Sequence, residues 1–346
     1  MACMETIRLG IAFAAQKGWV IHQLDVESAI LHGERIEDVL VEQPCGYIQK
    51  GNRIEAYFIK EGSKKCDYEH TLFVKQNMEG SMLSVNLYVD DLLFIGNDEL
   101  MFAEFKNSMK HKFDMTDLGK MKYFLGLEIL QKSCRIFISQ RKYAQEMLQH
   151  FGMNQSNSIQ TPIVPSFKLC KDEGGTKVDK TYFKQIVGCL MYLTATRPDM
   201  VFVVSLLSRY MENPTQLHLQ LPKRVLRYLQ ETTGYEIFYK KRGNNGLIVY
   251  TDSDYAGDLD DRKSTSRNIF LFSCGVVSWS SKKQPIVSFS TTEAEFIVAA
   301  SCSCQAIWLK RMLIILDQTQ QETITIHYDS SFAIKLSRNL VVLSSI

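Results

Sequence analysis

What this 346-residue chain has little of excludes several kinds of protein. Its formal charge is only +2, from 40 basic and 38 acidic residues, so the whole-chain field neither demands nor forbids a polyanionic partner. Its nine cysteines are scattered from Cys3 to Cys304, and the closest pair, Cys302-Ser303-Cys304, lacks the two-residue gap of a zinc knuckle. An odd count without that spacing fits a reducing intracellular compartment, cytoplasmic or nuclear. The apolar stretch Leu9 to Ala15 is too short to cross a bilayer and has no small-residue cleavage signal, so it reads as a buried helix. Neither a membrane partner nor an export signal is expected, and no internal repeat is visible. What is there is ordinary for globular protein: 45% hydrophobic and 23% charged residues, in a length that suits two or three domains.

Residues 1–150 alternate short helical and strand patterns, as an α/β unit does. Between Asn154 and Val178 the composition turns to Ser, Asn, Pro and Gly, which predicts a linker. Residues 180–232 then read as helical. The stretch Pro222 to Leu229 sets Val225, Leu226 and Leu229 on one side and Lys223, Arg224 and Arg227 on the other. A second break runs from Lys240 to Gly246, after which strand patterns resume at Leu247.

Acidic residues stand at the ends of the strands. The alternation Leu83, Val85, Leu87, Val89 predicts a half-buried strand that returns through a tight turn formed by Asp90 and Asp91 into Leu92 to Ile95. Two adjacent acids there suit a metal-bound phosphate site, and equally a polar hairpin tip. Further on, Leu247 to Tyr250 delivers Asp252 and Asp254 on one strand face. Ser290 and Glu293 have capping-box spacing at the start of a helix, which ties Glu293 to the backbone and leaves Glu295 for other work. Thr323 to Tyr328 alternates as a strand and ends at Asp329. Carboxylates from two strands and one helix make the kind of cluster that holds magnesium ions about 4 Å apart for in-line attack on phosphate.

In the residues that surround these acids, the chain resembles the reverse transcriptase and ribonuclease H segments of copia-type retrotransposon polyproteins. The carriers are Gln23-Leu24-Asp25-Val26, Glu42-Gln43-Pro44, Tyr88-Val89-Asp90-Asp91, Leu118-Gly119, Tyr123-Phe124-Leu125-Gly126 and Ala195-Thr196-Arg197-Pro198-Asp199. Beyond them come Thr251-Asp252-Ser253-Asp254-Tyr255-Ala256-Gly257-Asp258, Arg262-Lys263-Ser264-Thr265-Ser266, Val277-Ser278-Trp279 and Glu293-Ala294-Glu295. The resemblance implies an α/β fold: an α+β palm remnant over 1–150, a linker and helical connection over 151–246, and a ribonuclease H-like mixed sheet over 247–346. It further implies that Asp25, Asp90 and Asp91 bind the polymerase metals and that Tyr88 packs beneath the nascent strand. Asp252, Glu295 and Asp329 then match the first three ribonuclease H acids. Mg2+ (or Mn2+) is the implied cofactor, and a template-primer or an RNA:DNA hybrid the implied partner.

The chain departs from this family at four places. Only a short stretch precedes Asp25, where the family carries its fingers region. Asn52 joins Arg53 directly, where the family has a segment that shapes the nucleotide pocket. Arg267 stands where the family has glycine, and Ile346 comes before the position of a fourth acid. Misplacement of a substrate by about 1 Å can cost two orders of magnitude in rate, so no useful polymerase activity and weak or absent hybrid cleavage are expected. An incomplete palm is also expected to leave unpaired strand edges. A non-enzymatic alternative is nucleic-acid binding through Lys223, Arg224, Arg227, Lys240 to Arg242, Arg262, Lys263, Lys282 and Lys283.

Overall fold

The computed structural model describes residues 4–26, 54–89, 91–241, 246–316, 324–331, 334 and 335. Among the described residues, three sheets and three groups of helices build a mixed α/β protein, as expected. The first sheet has six strands in the order β2-β3-β4-β5-β1-β6. These are β1 (His22–Val26), β2 (Lys64–Lys65), β3 (Leu72–Gln76), β4 (Met82–Tyr88), β5 (Asp91–Gly96) and β6 (Met115–Lys120). Helix α1 (Met4–Lys17) covers one face, and helical residues 54–60 (α2) with α3 (Glu99–Phe113) cover the other.

That double cover corrects the reading of β4 as half-buried. Leu83, Val85 and Leu87 pack on the α2 and α3 side, while Met82 packs on the α1 side. A period-two pattern therefore reports which residues share a face, but here both faces are covered. The stretch Leu9 to Ala15 is indeed a buried helix, with Leu9, Ala12, Phe13, Ala14 and Ala15 all fully covered. Each large side chain buried in this way contributes about 1.5–3 kcal/mol. The described edges of the sheet are blunted by shortness and charge: β2 is only Lys64 and Lys65, and β6 carries Asp117 and Lys120.

A four-stranded sheet, β10-β9-β8-β7, follows. It joins β7 (Tyr123–Phe124), β8 (Leu127–Gln131) and β9 (Arg135–Ser139) to β10 (Ile237–Lys240), which returns from beyond the helical region. The helices are α4 (Arg141–His150), α5 (Lys180–Leu193), α6 (Val201–Ser208) and α7 (Gln216–Thr232), packed around Phe183, Leu190, Leu207 and Leu229. Helix α7 begins six residues before Pro222, which lies in its interior. Thr215 caps it: its backbone N–H donates to Nδ1 of His218 at 2.9 Å, and Nε2 of His218 lies 2.7 Å from the Cys170 carbonyl. A carbonyl only accepts, so Nε2 carries the proton and Nδ1 is free to accept.

Residues 154–178 are a strap rather than a loose tether. Arg227 donates to Asn157 O at 2.6 Å, Arg224 to Thr161 Oγ1 at 2.9 Å and Gln230 to Asn154 O at 2.8 Å. Leu169 is buried, and Lys171 N–H donates to Asp260. The third sheet, β13-β12-β11-β14, comprises β11 (Ile248–Ser253), β12 (Thr265–Phe272), β13 (Gly275–Lys283) and β14 (Thr325–His327). Strand β14 runs parallel to β11, and helix α8 (Thr291–Leu316) makes the crossover. By length and composition alone α8 could cross a membrane, yet Val298, Cys302, Ala306 and Leu309 bury one side of it in the protein. One apolar cluster joins α1, the β7–β10 sheet, β11–β13 and α8, through residues such as Phe13, Tyr239, Phe270 and Leu309. Each described cysteine is a free thiol.

Candidate active site

The parallel register of β11 and β14 builds the first part of the site. Tyr250 stands opposite His327, with their rings stacked at 5.0 Å. Two residues further along each chain come Asp252 and Asp329, at the same end of the sheet. Helix α8 adds Glu295, and one carboxylate oxygen from each of the three lies within 4.8 Å of the others. Asp252 and Asp329 are exposed, while Glu295 is 8% exposed.

The orientation of Glu295 is set at the helix start. Ser290 Oγ accepts from Glu293 N–H at 3.1 Å, and Glu293 reaches back to accept from Phe289 N–H at 2.7 Å. Glu293 is thus spent on the cap, as its spacing suggests. Glu295, two positions on, faces the sheet: its Oε1 accepts from Ser253 N–H at 3.1 Å, and its Oε2 is buried with no hydrogen-bond partner. Burial raises the Glu295 pKa above the usual carboxylate range, and the charges of Asp252 and Asp329 raise it further, against the Ser253 hydrogen bond. Three acids held this close repel one another unless a cation intervenes.

Asp254 serves the backbone instead. Its Oδ1 accepts from Thr265 N–H at 2.7 Å, closing the loop between β11 and β12. Arg267, in regular extended β12, pairs with Asp252 across the strands, so the position does not need the conformations that only glycine adopts. Its guanidinium reaches Asp252 Oδ2 at 3.6 Å and Asp254 Oδ2 at 3.9 Å.

In the first sheet, β1 and β5 pair with Asp25 opposite Asp91. Directly opposed residues share a face with Cβ atoms about 4.5–5.5 Å apart, and like charges placed so are destabilising without a counter-ion. Asp91 is the first residue of β5 and opposes Tyr88, so it is a strand residue and not part of the turn. Gln23 Nε2 donates to its Oδ1 at 2.9 Å. Asp90 lies outside the described residues. The turn itself is sharp, since Val89 has φ 48°, a conformation unfavourable for a β-branched side chain. Tyr88 is half-buried and packs edge-on against Phe124 at 5.8 Å.

The sequence reading missed Gln284. This buried side chain donates to Ala294 O at 2.9 Å, Ser253 Oγ at 3.2 Å and Ser266 Oγ at 3.1 Å, and accepts from Ser288 Oγ. It locks the first turns of α8 against β11 and β12, and so holds Glu295 in place. No local pattern marks such a residue, because the groups it donates to are 10 to 31 positions away. Several cations of the binding alternative are already partnered within the chain. Arg224 and Arg227 hold the strap, and Lys283 pairs with Asp258 and Asp261 at 2.9 Å each.

Two sheets of this mixed α/β protein thus gather acids at strand ends, Asp25 with Asp91 and Asp252 with Asp329. Comparison with known proteins gives the family. The family profile described as "Reverse transcriptase (RNA-dependent DNA polymerase)" matches residues 1–57 and 51–165. The chain is 35% identical to the Retrovirus-related Pol polyprotein from transposon TNT 1-94 of Nicotiana tabacum, over 97% of this chain and 28% of that protein. It is 34% identical to the Pol polyprotein from transposon RE1 of Arabidopsis thaliana, over 97% of this chain and 24% of that protein. The chain belongs to the reverse transcriptase family found in copia-type retrotransposon Pol polyproteins, and it spans about a quarter of the length of these relatives.

Proposed function

We propose that the chain is a remnant of a retrotransposon reverse transcriptase and ribonuclease H. In this reading its C-terminal unit holds one divalent cation and slowly cuts the RNA of an RNA:DNA hybrid, while polymerisation is lost. The observation that carries the reading is the convergence of Asp252, Glu295 and Asp329 within 4.8 Å, with Oε2 of Glu295 buried and unpartnered. A buried carboxylate oxygen with no donor is what a cation would satisfy, and an all-oxygen donor set suits Mg2+ or Mn2+. Such a cation supplies Lewis-acid polarisation and an activated water at a phosphate. The chain's own residues do the positioning: Ser253 and Gln284 fix Glu295, and Asp252 and Asp329 leave the cluster open to solvent.

Loss of polymerisation is supported by the junction at Asn52 and Arg53. The family profile matches in two stretches that meet at residues 51–57, and the alignment to the tobacco relative extends over 369 positions although the chain has 346 residues. The relative therefore carries residues with no counterpart here, and a missing piece of nucleotide pocket leaves Asp25 and Asp91 without a held substrate.

The test is a hybrid with a labelled RNA strand, incubated with the full chain in Mg2+ and in Mn2+. Slow cutting that disappears in Asp252→Asn and in Glu295→Gln supports the nuclease reading; no cutting, or cutting that survives both changes, overturns it. Primer extension on an RNA template is expected to give no product. Product that vanishes in Asp90→Asn would overturn the loss of polymerisation.

A further inference from the structure

One side chain that touches the acidic cluster without belonging to it is Arg267. It sits in β12 directly opposite Asp252 of β11, and its guanidinium carbon stands 4.7 Å from the ring centre of Phe202 on α6. Phe202 gives the flat guanidinium a face to lie against, so the cation is held over the carboxylates rather than left to wander in solvent. Its Nη1 is 3.6 Å from Asp252 Oδ2 and its Nη2 is 3.9 Å from Asp254 Oδ2. Both distances exceed those of a bidentate Arg–carboxylate pair, so the contact is an electrostatic neighbourhood and not a tight fork. The Nε is buried and makes no hydrogen bond.

We propose that Arg267 is a tethered counter-ion that competes with the divalent cation for Asp252, and so sets a weak metal affinity in the cluster of Asp252, Glu295 and Asp329. The inference rests on the metal-site reading above and adds to it a residue that regulates the site. A guanidinium stays protonated at any ordinary pH, so the competition is permanent. It lies well inside the roughly 10 Å screening length of ordinary buffers, so salt does not remove it at this range. A unit positive charge beside the same carboxylate lowers the affinity for a divalent ion by about tenfold even with near-bulk dielectric screening. The cluster keeps its shape without Arg267, because Ser253 N–H and Gln284 hold Glu295 and its helix independently.

The experiment is Mn2+ binding to the full chain, followed by the spectroscopic signal of free Mn2+ as protein is added. Arg267→Met keeps an apolar stem over Phe202 without the charge, and Arg267→Gln is a second neutral replacement should the first fold poorly. Arg267→Lys keeps the charge, and Asp252→Asn removes the shared carboxylate. The expected result is binding about tenfold tighter in both neutral variants, unchanged within about twofold in Arg267→Lys, and lost in Asp252→Asn. Neutral variants that bind Mn2+ like the starting chain, while Asp252→Asn still loses binding, overturn the role of Arg267 and leave the metal site standing. The same holds if the neutral variants change only affinity for the hybrid. Absence of Mn2+ binding in every variant overturns both readings.

Discussion

Nη1 of Arg209 lies 3.0 Å from Oδ2 of Asp258, which joins the end of α6 to the loop between β11 and β12. Nζ of Lys283, at the end of β13, reaches the same oxygen at 2.9 Å. The Asp258 side chain is 2% exposed, and its Oδ1 also accepts from the N–H groups of Asp260 and Asp261. This one carboxylate therefore ties the helical region to the C-terminal sheet. Burial alone would push its pKa up, but the hydrogen bonds from Lys283 and the two backbone N–H groups dominate and hold it at about 2.

The sign of the pH dependence follows. A carboxylate whose folded pKa lies below its unfolded value of 3.8 stabilises the protein above that value, and the contribution fades as pH falls from about 4 toward about 2. Asp258→Asn is expected to cost about 3 kcal/mol at pH 7, because it leaves Arg209 and Lys283 facing a neutral group in a buried place. Urea unfolding at pH 7, 4 and 2.5 checks this: the gap between the two proteins should narrow as pH drops. A constant gap would show that packing, not charge, is lost.

Arg8 makes a similar bond over a longer span of sequence. From α1 its Nε donates to Val277 O at 2.8 Å and its Nη1 to Ala195 O at 2.9 Å, with the guanidinium 3.9 Å from the Trp279 ring centre. Arg8→Met keeps the stem and orphans both carbonyls, so it is expected to cost about 3 kcal/mol. Since α1 and β13 share one apolar cluster, the loss should appear as a shift of a single unfolding transition. Two separate transitions, seen by Trp fluorescence and by far-ultraviolet circular dichroism, would contradict it.

Gly96 closes β5 against β4 with no room for a side chain. A Cβ there would stand 2.1 Å from the carbonyl oxygen of Met82, a backbone atom held by strand pairing. Gly96→Ala is expected to destabilise by about 3 kcal/mol or more, measured by thermal melting, because the strand must shift instead of a side chain. Gly188→Ala, on α5 with open space around it, is the control and should be neutral or slightly stabilising.

How far these relationships can be read from the residues depends on the range of the force involved. The strand-end acids, the Ser290 cap and the breaks near 154–178 and 240–246 are local patterns, and the residues announce them. The sequence puts Asp91 in the turn because Asp is a turn former; pairing with Tyr88 and Asp25 claims it for β5. Pro222 lies inside α7, which begins at Gln216, and the Thr215 and His218 cap outweighs the one bond its missing N–H loses. The basic stripe of α7 reads as a candidate nucleic-acid face, while the partners of Arg224 and Arg227, Thr161 and Asn157, lie more than 60 residues away. The polar hub at Gln284 and the opposition of Arg267 to Asp252 arise only once sheet register is set.

Glu293 and Glu295 give the sharpest separation of structure from chemistry, because they are two residues apart and do opposite things. Glu293 caps α8 through Phe289 N–H, so Glu293→Ala is expected to cost about 1 kcal/mol and to leave Mn2+ binding intact. Glu295 is a buried charge facing two other acids, so in the absence of metal it weakens the fold. Its raised pKa means that the metal-free chain loses stability as pH rises through that value. Glu295→Gln keeps an oxygen for Ser253 N–H and turns an amide toward the carboxylates. It should therefore raise metal-free stability by about 1 kcal/mol at pH 7 while Mn2+ binding disappears. Thermal melts with and without Mn2+ decide it: added metal should stabilise the starting chain and Glu293→Ala, and leave Glu295→Gln unmoved. A Glu295→Gln chain that melts lower than the starting chain without metal would mean that this carboxylate is a structural ion and not a ligand.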